Sequence, residues 1–224
     1  MTLLIFDCDG VLVESEAIYV VAELEFLSKA GMSFDRDEYI RRFMGLAPDQ
    51  WEQRLAEDME AQLGHRPKES LFAQFDEFTT QKLKDELVPV KGARSLIQSL
   101  DGIAKCVASS SSPNGLRWKL EHTDLIDLFD PHLFSTQLVK HGKPAPDLFL
   151  LAADQMGVPP VECIVIEDSS NGVMAGKSAE MKVIGFTAGS HCPEDHEETL
   201  LADGADVIVD SYEQLESEIH RLSR

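Results

Sequence analysis

Leu3-Leu4-Ile5-Phe6-Asp7-Cys8-Asp9-Gly10-Val11-Leu12-Val13 decides how the rest of the chain is read. The continuous apolar run Leu3 to Phe6, bounded by a glycine, reads as a buried parallel strand, and open α/β sheets bind ligands beyond the carboxyl ends of their strands. Side chains alternate along a strand, so Asp7 and Asp9 leave on one side while Cys8 turns away. Two neighbouring carboxylates repel, and a cation, a shared proton or a reaction intermediate is the usual reason to keep them together. Turn chemistry, with the carboxylates capping local amides, is the plainer alternative. A calcium loop is excluded, because its fifth and sixth positions require an oxygen ligand and a glycine, and Val11 and Leu12 stand there.

Outward from this strand, residues 15 to 86 read as four helices without an intervening strand. Ile18, Val21, Leu24 and Leu27 make the first stripe, and Tyr39, Ile40 and Phe43 the second, behind an Asp35/Glu38 capping box. Trp51, Leu55 and Met59 make the third, and Leu71, Phe75 and Phe78 the fourth. The pattern changes near Val88-Pro89-Val90. Helices over about 93–100, 114–122 and 146–156 then alternate with strands at 104–108, 163–166, 183–186 and 207–209, which implies βαβ units and a parallel sheet. The expected fold class is therefore α/β: a Rossmann-like parallel-sheet core of residues 1–14 and 89–224, interrupted by a four-helix cap of residues 15–88. A double linker of this kind permits hinged closure over the strand ends.

Composition narrows the function. A formal net charge of -20, from 20 Lys plus Arg against 40 Asp plus Glu, argues against nucleic acid and anionic membranes as partners. No apolar stretch is long enough to span a bilayer and no signal peptide precedes Asp7, so a cytoplasmic protein is expected. Cys8, Cys106, Cys163 and Cys192 show no CxxC pairing and read as reduced thiols. An acidic protein acting on an anion needs local positive charge, most simply a metal ion and a lysine.

Three further polar clusters follow predicted strands. Ser109-Ser110-Ser111-Ser112-Pro113 ends one strand and opens a helix, whose free amides suit phosphate. Ser112 suits plain capping, whereas Ser109, nearest the strand, is the candidate for a phosphate hydrogen bond. In Gly142-Lys143-Pro144-Ala145-Pro146-Asp147 the glycine and prolines restrict the loop and aim the lysine as a point charge. Ile166-Glu167-Asp168-Ser169-Ser170-Asn171-Gly172 adds two carboxylates past a buried strand. With Asp7 and Asp9 these make an all-oxygen set that suits magnesium rather than zinc.

These four motifs, in this order and spacing, strongly resemble those of the haloacid dehalogenase superfamily, in the helical-cap branch that includes β-phosphoglucomutase and many sugar phosphate phosphatases. The resemblance covers nearly the whole chain and displaces turn chemistry as the reading of Asp7 and Asp9. It implies a magnesium-dependent phosphatase acting on a small phosphorylated metabolite. Asp7 would be the nucleophile and Asp9 the general acid and base, kept protonated by cap closure and neighbouring negative charge. Ser109, Ser110 and Lys143 would hold phosphate; Asp7, the Asp9 carbonyl, Glu167 and Asp168 would hold the metal. Specificity would lie in the cap at Tyr19, Arg42, Gly45 and Pro48. A sugar phosphomutase is the alternative, but Tyr19 stands where that branch has histidine and Pro48 where it has a phosphate-gripping arginine. Dehalogenases lack the second aspartate. A non-enzymatic binding protein would typically have lost a motif, and all four are present. A monomer is the favoured oligomeric state.

Overall fold

The computed structural model describes residues 2–43, 48–193 and 195–223, and only the backbone of Pro48, Asp49 and Glu69. The chain divides into two compact units, Met1–Glu14 with Val88–Arg224, and Ser15–Leu87. In the first unit the strands are β1 (Leu3–Phe6), β2 (Ala104–Ser109), β3 (Leu133–Ser135), β4 (Cys163–Glu167), β5 (Lys182–Phe186) and β6 (Val207–Val209). Four helices, α1 (Ser15–Lys29), α2 (Arg36–Phe43), α3 (Pro48–Leu63) and α4 (Glu69–Glu86), build the second unit. The first unit also holds α5 (Ala93–Ser99), α6 (Pro113–His122), α7 (Asp147–Met156), α8 (Ser170–Ser178), α9 (His196–Ala202) and α10 (Tyr212–Leu222).

The described strands form one parallel sheet in the order β3-β2-β1-β4-β5-β6, the architecture expected from the alternating pattern. β1 is central and wholly buried, as a continuous apolar strand covered on both faces must be. Leu3 and Ile5 pack into one cluster with Leu148, Phe149 and Ala152 of α7 and Val173 of α8. On the other side of the pleat, Phe6 meets the ring of Phe129 edge-on, centroids 5.8 Å apart. Each fully buried Leu, Ile or Phe of this kind contributes about 1.5–3 kcal/mol relative to exposure.

Register is what builds the site. Phe6 pairs with Val107 on one side and Ile166 on the other. The next residues, Asp7, Ala108 and Glu167, therefore emerge together at the carboxyl edge, where the Asp7 amide donates to the Ile166 carbonyl at 3.0 Å.

Within the helical unit, Leu27, Met32, Tyr39, Phe43, Leu55 and Met59 form the buried core. Asp35 Oδ1 accepts from the amides of Asp37 and Glu38, capping α2 as the sequence predicts. The first stripe differs from expectation: Val21 is 52% exposed, and the buried residues of α1 are Ser15, Ile18, Val20, Ala22 and Leu27. A strict three-residue repeat slips about 60° per step on a helix of 3.6 residues per turn, so such a stripe winds off the packed face. β3 had no sequence forecast, whereas the equally short β6 did: Leu133-Phe134-Ser135 ends on a polar residue, while Val207-Ile208-Val209 is wholly β-branched and apolar. Among the described residues, no helix is long and apolar enough to cross a membrane.

Candidate active site

Asp7 sits at the end of the central strand, nearly inaccessible, and Lys143 reaches it from the loop before α7. The Lys143 ammonium donates to Asp7 Oδ1 at 2.6 Å, to Glu167 Oε1 at 2.5 Å and to the Ala108 carbonyl at 3.2 Å. It also lies 5.0 Å from the centroid of the Phe149 ring. Burial works against the ammonium, but the charges of Asp7 and Glu167 and their hydrogen bonds together hold it above its ordinary pKa. Burial pushes the Asp7 carboxyl well up; Lys143 opposes this, while Glu167, Asp168 and Asp9 add to it. Asp168 is raised for the same first reason, with Glu167 the next contributor.

Asp9 is gripped from the β2–α6 segment. Ser111 Oγ donates to its Oδ2 at 2.8 Å and Ser109 Oγ at 3.3 Å, while the Lys119 ammonium pairs with Oδ1. Besides the neighbouring negative charge expected to act on this carboxyl, a lysine ammonium stands next to it. Ser112 is the N-cap of α6, accepting from the Gly115 amide at 3.2 Å. Ser110, expected to hold phosphate, is exposed, and its carbonyl accepts from Thr136 Oγ1. Ser109 and Ser111 are the serines of this run whose hydroxyls reach Asp9.

Glu167 is engaged at both of its carboxylate oxygens. It has no exposed surface; one oxygen holds Lys143, and the other accepts from the amide and hydroxyl of Ser169, both at 2.9 Å. It stands behind the lysine. The space is tight, for a Cβ on Gly172 would stand 1.9 Å from the Glu167 carboxyl.

Asp168 points the other way. Its Oδ2 lies 2.9 Å from His191 Nε2, and its carbonyl accepts from His196 Nε2 at 2.5 Å. Burial lowers the His196 pKa, which favours the neutral ring that donates from Nε2. A Cβ on Gly10 would fall 1.9 Å from Asp168 Oδ2, and Gly10 has φ of +76°, so glycine is required there on both counts. Glu14 Oε2 accepts from the Ser190 hydroxyl at 2.8 Å, tying the β1 loop to the segment that carries His191.

In the helical unit, Arg42, a candidate specificity residue, is engaged by Glu38 at 3.2 Å and by Asp58 at 2.6 Å, a tie between α2 and α3. Tyr19 lies on α1, partly buried. Gly45 lies outside the described residues, and Pro48 is the first residue of α3.

The sequence reading missed Lys119 and His191. Lys119 left a signal, since it occupies an apolar-stripe position between Leu116 and Leu120. His191 follows Gly189 and Ser190 in an irregular loop, where no periodicity assigns a direction. Among the described residues Cys8, Cys106, Cys163 and Cys192 are in no disulfide, and Cys192 Sγ lies 3.6 Å from His191 Nε2.

The arrangement is a phosphoryl-transfer type of site: a carboxylate at a strand end held against a lysine, a second carboxylate two residues on, and hydroxyl donors beside it. A family model, the haloacid dehalogenase-like hydrolases, matches residues 1–180. The chain belongs to that family. It is 33% identical over 187 residues to the probable pseudouridine-5'-phosphatase of Drosophila melanogaster, covering 80% of this chain and 79% of that protein. To the 6-phosphogluconate phosphatase of Escherichia coli it is 28% identical, covering 83% and 82%. A hydrolase structure of this family from Deinococcus radiodurans, with bound phosphate and sodium, superposes with a TM-score of 0.87 at 28% identity, covering 99% of this chain and 96% of that one. The chain is thus a phosphoric monoester hydrolase of this family, with named phosphatases among its relatives.

Proposed function

We propose that this protein is a magnesium-dependent phosphatase, hydrolysing a phosphate ester of a sugar, polyol, sugar acid or related small alcohol through an aspartyl phosphate on Asp7. One observation carries the reading: Asp7, buried at the central strand end, is held by Lys143 at 2.6 Å with Asp9, Ser109 and Ser111 alongside. The printed activities of the relatives support the substrate class.

The residues fit magnesium. Four carboxylates, Asp7, Asp9, Glu167 and Asp168, gather where burial already strains the ionised forms of Asp7 and Asp168, so a divalent charge is favourable. Among the described residues no three His, Cys, Asp or Glu side chains form a ligating group. Two carboxylates, Asp7 and Asp168, with the Asp9 carbonyl are the sparse oxygen set suited to an ion that keeps several waters. Gly10 supports this, leaving room at Asp168 that any side chain would fill. When bound, magnesium neutralises charge between Asp7 and the phosphate.

In the first half-reaction an Asp7 oxygen bonds to phosphorus, the bond from phosphorus to the alcohol oxygen breaks, and Asp9 gives that oxygen a proton. In the second, Asp9 takes a proton from water as the water oxygen bonds to phosphorus and the bond to Asp7 breaks, freeing inorganic phosphate. Lys143 and Ser109 stabilise the charge on the transferring oxygens, and Glu167 holds Lys143 in place. Phosphate release from a panel of phosphorylated sugars, polyols and sugar acids, with EDTA and with magnesium restored, is the test. Release that EDTA stops and magnesium restores is expected; no release from any ester overturns the reading.

A further inference from the structure

Lys119 has no assigned part in the chemistry, and its location needs a reason. It belongs to α6, with Leu116 and Leu120 as its buried neighbours on the same face, and its side chain is 6% exposed. A lysine in an apolar stripe is costly unless its charge is paired and its protons are accepted. Here the ammonium meets Asp9 Oδ1 and donates to Ser111 Oγ at 3.0 Å. Ser111 in turn donates to Asp9 Oδ2, and its carbonyl is fixed by Ser135 Oγ at 2.6 Å on the neighbouring strand. Ser109 adds a bond to Oδ2, and its own hydroxyl oxygen accepts from the Ser111 amide at 3.0 Å.

Both oxygens of Asp9 are therefore held from one side, by residues separated by ten positions but joined by one loop and one helix. The other neighbours of Asp9 repel it: Asp7 and Asp168 each feel its charge as unfavourable. Without a cation on the α6 side, the Ser109 and Ser111 hydroxyls alone hold the Asp9 carboxylate against that repulsion.

We propose that Lys119 is a positioning residue for Asp9, aiming the group that protonates the departing alcohol. This rests on the phosphatase reading above. The step it serves is needed unequally by different substrates. An alkyl phosphate must expel a strongly basic alkoxide and needs the proton, whereas p-nitrophenyl phosphate expels a stable anion and needs it little.

The experiment compares kcat/KM for a phosphorylated sugar and for p-nitrophenyl phosphate, with magnesium present, in the native chain and in Lys119→Met, Lys119→Arg and Ser111→Ala. kcat/KM reports events up to departure of the alcohol and excludes hydrolysis of the intermediate. In Lys119→Met the sugar phosphate is expected to lose about 100-fold and the aryl phosphate less than about tenfold, following the usual share of general acid catalysis. Lys119→Arg recovers part of the ratio. Equal losses on both esters, as from a merely structural role, overturn the proposal. Should Lys119→Met not fold by circular dichroism, Ser111→Ala decides: a shift of the ratio in the same direction supports it, and equal losses overturn it. If the native chain hydrolyses neither ester, the phosphatase reading falls and this inference with it, a result distinct from equal losses.

Discussion

Replacing Glu23 by glutamine should stabilise the protein at pH 8 and leave it nearly unchanged at pH 4.5. Glu23 lies on α1 beside the helical unit's core, its Oε2 accepting from the Tyr39 hydroxyl at 2.8 Å; that hydroxyl accepts from Trp51 Nε1 at 3.2 Å. Burial pushes the Glu23 carboxyl from 4.5 to about 7, against the opposing effect of the Tyr39 bond. The folded state thus binds this proton more tightly than the unfolded chain. Its contribution to stability is fully present below the unfolded value and is lost as pH rises through 7. The interval of about 2.5 units, at 1.36 kcal/mol per unit, amounts to about 3 kcal/mol. Glutamine resembles the protonated acid and keeps an oxygen for Tyr39, so the variant escapes the loss. The measurement is urea unfolding of both proteins at several pH values between 4.5 and 8, following Trp51, which sits in this unit. Taking the difference between the two proteins removes every other titrating group they share. A difference that does not grow with pH, or that is larger at pH 4.5 than at pH 8, refutes the reasoning.

Two substitutions probe the strand-end chemistry directly. Gly172→Ala drives a Cβ to within 1.9 Å of the Glu167 carboxyl, which must move and release Lys143; a stability loss of about 1–3 kcal/mol on thermal unfolding should accompany a steep fall in kcat. Asp7→Asn removes the attacking oxyanion, and single-turnover phosphoryl transfer should fall by at least about 10⁴-fold, as nucleophile deletions do; undiminished transfer removes Asp7 as nucleophile.

How much of this was written in the sequence depended on whether position along the chain implies direction in space. β1, β2, β4 and β5 were legible because each is a run of four to six mostly apolar residues between polar breaks. Groups at or just past the ends of those strands, Asp7, Ser109 and Asp168, were legible as candidates for the same reason. Glu167 was read as sharing the work of Asp168 because the two are adjacent. Adjacency at a strand end sends side chains to opposite faces, so one carboxylate turned to Lys143 and the other to His191. Lys119 illustrates the opposite difficulty: it lies 110 residues from Asp9, and only the unlikely polarity of its stripe position marked it.

The acidic balance of the chain and its buried carboxylates now have one explanation. The carboxylates near the strand ends are met by donors from three connections: Asp7 by Lys143 before α7, Asp9 by Lys119 on α6, and Asp168 and Glu14 by His191 and Ser190 after β5. In a parallel sheet every such connection that follows a strand begins at the carboxyl edge, so the register that sets Asp7 beside Glu167 also delivers the donors. A chain with 40 acidic and 20 basic residues cannot supply positive charge broadly, and it places two of its lysines, nearly buried, at this one edge. Burial makes those two charges count for more than any surface pair, because little water remains to screen them. The sheet thus sets two ammonium groups among the carboxylates of this edge, against the sign of the protein as a whole.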